Sequence, residues 1–267
     1  MSRSEERLIY LKKLKREKIT VAILKVLIVF VFFGLWEILT LKGIVDPFIT
    51  SSPTRIIKTI IGLYSQNNLF SHILITTYET VMGFILGTLV GTLIASIMWC
   101  SPLFCKVSEP FMVVLNSLPK IALGPVFIVW IGSGPKAIIV ITLTVSLIVS
   151  IMEVLGGFLS TDKDQIKLIE TFGGNKLQVF LKVVLPSNLP VIINSLKVSV
   201  GMSWVGSIVG EFLVSKEGLG YLIVYGSQVF KLDLVMSSVV ILALIATAMY
   251  FIVVRFEKLV LKKRRMN

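Results

Sequence analysis

The 267-residue sequence has few of the residue types that active sites and metal centres usually require. It contains one histidine, His72, and two cysteines, Cys100 and Cys105. A single histidine excludes zinc sites with two histidine ligands and argues against elaborate Ser-His chemistry. No Gly-x-x-x-x-Gly-Lys-Ser/Thr phosphate-binding pattern occurs. We therefore expect no enzyme activity, metal or cofactor in this chain, and any ATP hydrolysis would belong to a separate polypeptide.

Charged residues are also scarce, at 16%, whereas 55% of residues are hydrophobic and the mean hydropathy is +0.90. This composition excludes an ordinary soluble domain. Six apolar runs are long enough to cross a hydrocarbon core roughly 30 Å thick, which takes about 20 residues. They lie near 20–41, 74–99, 107–131, 137–158, 188–212 and 234–256. Pro110, Pro119 and Pro125 interrupt the third run, so we predict an all-α membrane protein with six spans, one of them irregular.

The net charge of +12 is distributed unevenly along the chain. Eighteen Lys and Arg residues lie on one side of the predicted membrane. They are in 1–19, between the second and third runs, in the 159–182 loop and in the tail from Arg255. The connections on the other side of the membrane hold only six. The positive-inside rule therefore places both termini and the 159–182 loop in the cytosol. The basic excess then reports membrane topology, and we expect no nucleic-acid partner.

Four further expectations concern individual segments of the chain. Cys100 and Cys105 fall on the reducing side, where packing is favoured over a disulfide. Val21–Leu41 is too long for a signal peptide and lacks a small-residue cleavage site. Arg7–Lys18 alternates Leu and Ile with Lys and Arg, and either lies along the inner membrane surface or is a solvated basic tail. In the outer connection, Thr54–Leu63 is predicted to form a short amphipathic helix.

Small and polar residues follow two of the runs at helical spacing. In the second run a stripe of small residues predicts a close helix–helix seam, and it consists of Gly83, Gly87, Gly91 and Ala95. In the fifth run a polar row is adjacent to Trp204, and it consists of Ser195, Ser199, Ser203, Ser207 and Glu211. The part of the row from Ser199 to Glu211, together with Trp204, has two possible roles. It lines a translocation pathway or an interface between subunits, or its residues pack as small residues within one chain.

The polar interruption 160–186 carries helix punctuation unusual for a loop between two spans. Thr161 or Asp162 can cap a helix N-terminus, and Gly173-Gly174 can end the helix in a left-handed turn. The interruption resembles the "EAA" coupling loop of the permease subunits of binding-protein-dependent ABC importers. That family has a Gly followed, after nine residues, by an aliphatic residue, any residue, Leu and Pro. Gly173, Val183, Leu185 and Pro186 hold that spacing.

The opening of the loop departs from the family pattern. Lys167 and Leu168 stand where the family usually has Glu and Ala, and Glu170 retains an acidic group on nearly the same face. The resemblance implies that a short cytosolic helix contacts the ATPase. The residues implied in this coupling are Asp164, Lys167, Glu170, Thr171, Gly173 and Gly174.

Two more segments resemble the nitrate/sulfonate/taurine-type permeases. The stretch 116–132 matches a "Leu-Pro…Ala-Leu-x-Pro…Phe-Ile-x-Trp-x-Gly" signature, and 217–223 matches "Gly-Leu-Gly-Tyr-Leu-Ile". Pro119 and Pro125 kink the helix and act either as a flexible gate or as a static bend. Pro186 and Pro190 would mark the bend at which the surface chain enters the membrane.

The resemblance implies a type-1 ABC permease fold in which ATP binding elsewhere drives alternating access. We expect a cytosolic tail over 1–19, a first span and outer connection over 20–69, the transmembrane core over 70–257 with the coupling loop at 160–178, and a basic tail over 258–267. The implied partners are an ATPase dimer, a second permease copy and an extracytoplasmic substrate-binding protein, in the plasma membrane. The implied substrate is a small organic anion, such as nitrate, a sulfonate or taurine, or a thiamine-precursor pyrimidine.

Two other classes of protein fit the sequence less well. An ion-driven transporter would require internal inverted repeats and paired carboxylates near the midplane, whereas the acidic residues here cluster near span ends. An intramembrane enzyme would require convergent His, Asp or Cys residues at depth, which the sequence lacks.

Overall fold

The computed structural model describes residues 3–66 and 68–264, and every regular element in these ranges is helical. The helices are α1 (Arg3–Leu41), α2 (Pro47–Thr50), α3 (Pro53–Ser65), α4 (Leu69–Cys100), α5 (Pro102–Ser117), α6 (Gly124–Ile131), α7 (Pro135–Leu159), α8 (Lys163–Thr171), α9 (Lys176–Val179), α10 (Leu185–Ser187), α11 (Leu189–Val214), α12 (Leu219–Gln228) and α13 (Leu232–Arg264). A 3₁₀ turn covers Lys120–Leu123, and a π-helical turn covers Phe180–Val184. The predicted all-α class is confirmed.

Five of the helices are long and apolar enough to cross a membrane. They are Tyr10–Leu41 within α1, Leu69–Cys100, Pro135–Leu159, Leu189–Val214 and Leu232–Lys262 within α13. The third predicted span, 107–131, is not one helix but is divided between α5 and α6. Leu118 is extended because the ring of Pro119 disfavours helical backbone in the residue before it. The helix resumes at Gly124, with Pro125 in its first turn.

Helices α4 and α7 run parallel and in close contact. Gly83, Gly87 and Gly91 of α4 successively face Thr142, Ser146 and Ser150 of α7. Because the two helices are parallel, the broken segment α5–α6 returns the chain from the end of α4 to the start of α7. We call the end of the bundle that carries residues 160–188 the excursion end, and the other end the opposite end.

Helix α7 lies between α4 and α11, and small residues line both contacts. A Cβ atom on Gly91 would lie 2.7 Å from Cβ of Ser150. On the other face, a Cβ atom on Gly206 would lie 2.8 Å from Cα of Thr142. The glycines therefore let the backbones approach closely, which is how helices associate where lipid offers no hydrophobic contrast. The predicted small-residue seam is confirmed.

Helix α1 is continuous from Arg3 to Leu41 and is exposed along its apolar stretch. The expected surface segment Arg7–Lys18 is thus an uninterrupted extension of the first span rather than a separate element. Residues 1–2 and 265–267 of the two predicted basic tails lie outside the described residues. Near its C-terminal end, α1 is joined to α3 by Glu37, whose carboxylate accepts hydrogen bonds from Thr54 N (3.0 Å) and Oγ1 (2.8 Å).

The connection between α1 and α4 is folded against the start of α13. Helix α3 confirms the predicted short helix, and the Ser52 side chain accepts a hydrogen bond from Arg55 N at its start. The Arg55 guanidinium contacts Asp233 Oδ2 at 2.7 Å, and Ser51 Oγ donates to Asp233 Oδ1 at 2.7 Å. These bonds fix the position of α3 at the opposite end of the bundle.

Candidate functional site

The excursion between α7 and α11 contains a well-delimited exposed helix, α8. Asp162, rather than Thr161, is its N-cap and accepts a hydrogen bond from Asp164 N at 2.9 Å. The helix ends as predicted, because Gly173 has φ +78°, a left-handed conformation that costs glycine little. Gly173 N donates to Glu170 O (2.9 Å) and Gly174 N to Ile169 O (3.0 Å), which satisfies carbonyls at the helix end.

The residues implied in coupling share one exposed surface. Asp164, Lys167, Glu170, Thr171 and Gly173 are exposed, and only Gly174 is partly covered, by Ile169. This surface carries charges of both signs.

Large apolar side chains on the same surface were missed by the sequence reasoning. Phe172 is 82% exposed, Leu168 is 57% exposed and Leu177 is 60% exposed. Leu168 was noted only as a departure from the family pattern. The signal that could have found them is a run of large apolar residues inside an otherwise charged segment.

Two half-buried isoleucines hold α8 to the bundle. Ile166 and Ile169 pack on a cluster formed by the excursion and by the adjoining ends of α4, α5 and α7. At its centre, the ring of Phe180 lies 5.4 Å from the rings of both Trp99 and Phe158. Cys105 is buried in the same cluster, in agreement with its predicted packing role. The excursion is therefore folded onto the bundle rather than extended from it.

The return path from α9 to α11 contains the two prolines predicted as hinges, and the helices α10 and α11 are separated by Asn188 between them. Leu185 N donates to Phe180 O five residues back, so the turn before Pro186 is widened. Pro186 has no N–H, and its ring would meet the carbonyl of the residue four positions earlier, which explains the widening. Pro190 lies in the first turn of α11, where a missing N–H costs nothing.

The polar row of α11 lies inside a single copy of the chain. Its serines and Glu211 are at most 2% exposed, and Trp204 is 7% exposed. Ser199 Oγ lies 2.9 Å from Ser150 Oγ of α7. Ser203 Oγ, Ser207 Oγ and Trp204 Nε1 are buried without a hydrogen-bond partner. In this state the row faces the helix seam and not an open channel.

At the opposite end, polar side chains bind the backbone that enters α12. Glu211 Oε2 accepts hydrogen bonds from Gly220 N (2.5 Å) and Tyr221 N (3.4 Å). Thr76 Oγ1 accepts from Leu219 N at 2.8 Å. A carboxylate at a helix N-terminus is favourably placed with respect to the helix dipole.

The glycines of the Gly-Leu-Gly motif are required by this arrangement. Gly218 has φ +107°, and its N–H donates to His72 Nδ1 at 2.9 Å. A Cβ atom on Gly218 would overlap the carboxylate of Glu211, and one on Gly220 would lie 2.7 Å from Glu211 Oε2. The two glycines therefore allow a tight turn and make room for the carboxylate of Glu211.

Glu79 of α4 is buried beside Glu211 of α11. Each residue is 1% exposed, and neither oxygen of Glu79 makes a hydrogen bond. An acidic residue near a span end can face water, whereas the structure buries Glu79.

The predicted hinge in the broken third span is exposed in the single chain. Pro119 and Pro125 flank the 3₁₀ turn, and both are exposed. Lys120 donates to Asn116 O (3.1 Å) and Oδ1 (3.2 Å), so its ammonium is held by the preceding helix end. Among the described residues no group of three or more His, Cys, Asp or Glu is placed to hold a metal ion.

Residues 83–266 match the model of the family described as "Binding-protein-dependent transport system inner membrane component". Three curated proteins are similar over most of the chain. A probable ABC transporter permease protein of Haemophilus influenzae is 28% identical over 84% of this chain and 91% of its own length. The putative aliphatic sulfonates transport permease protein SsuC of Bacillus subtilis is 26% identical over 88% and 85%. The formylaminopyrimidine transport permease protein ThiX of Halalkalibacterium halodurans is 28% identical over 70% and 74%.

Solved structures share the fold at low sequence identity. A chain of the MetNI methionine ABC transporter in an inward-facing conformation has a TM-score of 0.64 and 21% identity, over 72% of this chain and 95% of that chain. A chain of a bacterial ABC transporter involved in alginate import has a TM-score of 0.64 and 12% identity, over 93% and 98%.

Proposed function

This chain belongs to the family of binding-protein-dependent transport system inner membrane components and is a permease subunit of an ABC importer; we propose that α8 is the element through which a separate ATPase drives it. The observation that carries the proposal is the surface of α8. Phe172 and Leu168 extend into water beside the charges of Asp164, Lys167 and Glu170. Burying one large apolar side chain stabilises a complex by about 1.5–3 kcal/mol, so these two favour a protein partner with an apolar groove.

The excursion end is proposed to face the cytosol of a cell whose plasma membrane holds the protein. The basic residues are concentrated in the segments at this end, and the opposite connections hold only six. This asymmetry supports cytosolic termini and an ATPase contact from inside. The exposed apolar length of α1 supports burial in lipid or against a second copy of the chain.

The proposed assembly contains two permease copies, two ATPase subunits and an extracytoplasmic binding protein. Relatives named for aliphatic sulfonates, taurine and formylaminopyrimidine support a substrate that is a small organic anion or a thiamine-precursor pyrimidine. ATP binding would displace α8, and the bends at Pro119, Pro125, Pro186 and Pro190 would allow alternating access.

The role of the polar row is proposed to depend on that motion. Ser199, Ser203, Ser207 and Glu211 are buried against α4 and α7 within one copy. They would reach a pathway or a subunit interface only after α11 shifts against α7. Unpartnered hydroxyl groups at Ser203 and Ser207 support such a shift, because new hydrogen bonds would offset its cost.

Cysteine accessibility tests the orientation and the ATPase contact together. In a background with Cys100→Ser and Cys105→Ala, Phe172→Cys should cross-link to the co-expressed ATPase and resist a membrane-impermeant maleimide added outside. The matched control is Ile61→Cys on α3, since Ile61 is 61% exposed at the opposite end. It should react with the external maleimide and not with the ATPase. External labelling at position 172, or the absence of a cross-link there, would overturn the proposal.

A further inference from the structure

We propose that the hydrogen bond between Asn188 and Thr161 is a mechanical joint that makes the excursion and α11 move as one unit. This inference rests on the proposed function of α8. Asn188 and Thr161 are buried and lie outside the exposed surface of α8, so they act as positioning residues. The joint determines how much of a displacement at α8 reaches the long helix that crosses the bundle.

The joint closes the excursion at its base. Thr161 follows α7 by two residues, and Asn188 immediately precedes α11. Asn188 Nδ2 donates to Thr161 Oγ1 at 2.7 Å and to Val184 O at 2.9 Å. Both side chains are buried, with 5% and 9% exposure. A short hydrogen bond shielded from water is directional and does not exchange readily with solvent.

A glycine makes the base of the excursion unusually tight. A Cβ atom on Gly157, in the last turns of α7, would lie 2.7 Å from Val191 Cγ1 and 3.1 Å from Asn188 Oδ1. The end of α7 and the first turn of α11 are therefore in contact beside the joint. Asn188 also supplies the carbonyl that accepts the first hydrogen bond of α11, from Ile192 N at 2.9 Å. The joint is thus built into the start of the helix.

Force entering at α8 has two routes into the bundle. One route follows the backbone through Asp162 to α7, and the other crosses the apolar cluster to the segment before Pro186. The apolar contacts of Ile166 and Ile169 resist compression but are not directional, so they permit sliding. The hydrogen bond joins the two routes at one point, so a displacement of the excursion is delivered to the start of α11. Packed side chains and hydrogen-bond networks of this kind can carry energetic coupling between distant sites.

The test removes one hydrogen bond while leaving the shape of the side chain. Thr161→Val lacks the hydroxyl acceptor, and Asn188 keeps its bond to Val184 O, so the chain should still fold. Thr161→Ser retains the hydroxyl and is the matched control. The reporter is Phe212→Cys near the far end of α11, where Phe212 is 43% exposed. It is placed in the cysteine-free background described above, in the complex with the ATPase.

The measurement is the change in maleimide reactivity at position 212 when ATP is trapped with vanadate, together with the rate of ATP hydrolysis. For Thr161→Val we expect hydrolysis to continue while the change in reactivity falls by about fivefold, a typical effect of a mutation within a coupling network. Thr161→Ser should retain the full change. If the maleimide reactivity at position 212 changed as much in Thr161→Val as in the unmodified chain, the proposed joint would be overturned. An unmodified Thr161 chain with no ATP-dependent change would overturn the proposed function as well.

A covalent version of the joint provides a second test. Thr161→Cys combined with Asn188→Cys, oxidised to a disulfide, should preserve the ATP-dependent change at position 212, because the two ends stay together during the cycle. Loss of the change on oxidation, restored by a reductant, would show that the ends must separate and would overturn the proposal.

Discussion

The two ends of the bundle are held together by different kinds of contact. At the opposite end, side chains of α4 and α11 accept hydrogen bonds from consecutive backbone N–H groups at 218–221. At the excursion end, α8 is attached mainly by Ile166 and Ile169 on an aromatic cluster. Hydrogen bonds fix an orientation, whereas apolar contacts mainly fix a distance. The comparison indicates a rigid opposite end and, at the excursion end, a more loosely held α8, which is the element proposed to meet the ATPase.

The largest effect on stability is expected from Glu211→Leu at the rigid end. The substitution leaves the N–H groups of Gly220 and Tyr221 buried without an acceptor, at about 1–3 kcal/mol each. We expect the free energy of unfolding in detergent to fall by about 2–4 kcal/mol. Thermal unfolding followed by circular dichroism measures this loss.

The control for this substitution lies in the loop that follows α11. Glu217→Leu adds the same apolar side chain at an exposed position and should change stability by less than about 0.5 kcal/mol. If Glu211→Leu were as stable as the control, the hydrogen bonds to the start of α12 would not be what makes this end rigid.

Substituting two glycines that have a left-handed backbone allows a direct comparison of stability at the two ends. Gly218→Ala introduces a Cβ atom that overlaps the Glu211 carboxylate, in addition to backbone strain at φ +107°. Gly173→Ala meets nothing within 4 Å and bears only the strain at φ +78°. We expect losses of about 2–3 kcal/mol for Gly218→Ala and about 1–2 kcal/mol for Gly173→Ala in the same unfolding assay.

For ATP-driven transport we expect the opposite order, with the larger loss at Gly173. Gly173→Ala reorients the end of α8 and should lower ATP-driven transport more than its modest loss of stability explains, and Gly173→Val should abolish it. Gly156→Ala is the control, because Gly156 is helical and also meets nothing within 4 Å. If ATP hydrolysis still drove transport normally in Gly173→Val, α8 would not be the element through which the ATPase acts.

Much of the fold could be predicted from local sequence, because its signals are local. Apolar length indicated the spans, and the spacing of Gly83, Gly87 and Gly91 indicated the seam. Gly173 predicted the end of α8, since a left-handed turn favours glycine in any context. The interruption of the third span was foreseen from its prolines, but its division into two helices was not, because it depends on how Leu118 and the 3₁₀ turn adapt to Pro119.

The contacts that define the two ends could not be predicted in the same way. Glu79 meets Glu211, and Asn188 meets Thr161, only because the helices pack in one particular register. Residues 27 or more positions apart carry no periodic signal of their contact. The indirect signs were glycines, since Gly157 and Gly220 stand where another side chain approaches their backbone.

A smaller effect on stability is expected from removing an ion pair. One ion pair lies toward each end, so the two can be used to compare how strongly solvent screens charges there. The side chains of Arg55 and Asp233 are 43% and 27% exposed, so Asp233→Asn should cost about 0.5–1 kcal/mol. Lys197 and Glu257, 2.9 Å apart on α11 and α13 nearer the excursion end, are 21% and 20% exposed. In 1 M salt the cost of Asp233→Asn should shrink more than that of Glu257→Gln. Equal salt sensitivity in thermal unfolding would contradict the difference in screening.

The smallest change in stability is expected from Phe172→Ala, at the most exposed part of the excursion end. Its ring is 82% exposed, so truncation removes little packing and should alter the free energy of unfolding by less than about 0.5 kcal/mol. If the ring fills a groove of the ATPase, its loss should weaken the complex by about 2 kcal/mol, roughly thirtyfold in Kd. Titrating purified ATPase against the permease in nanodiscs measures this, with Phe70→Ala, 58% exposed in α4, as the control. Equal affinities for the two variants would mean that α8 meets its partner through the charged residues alone.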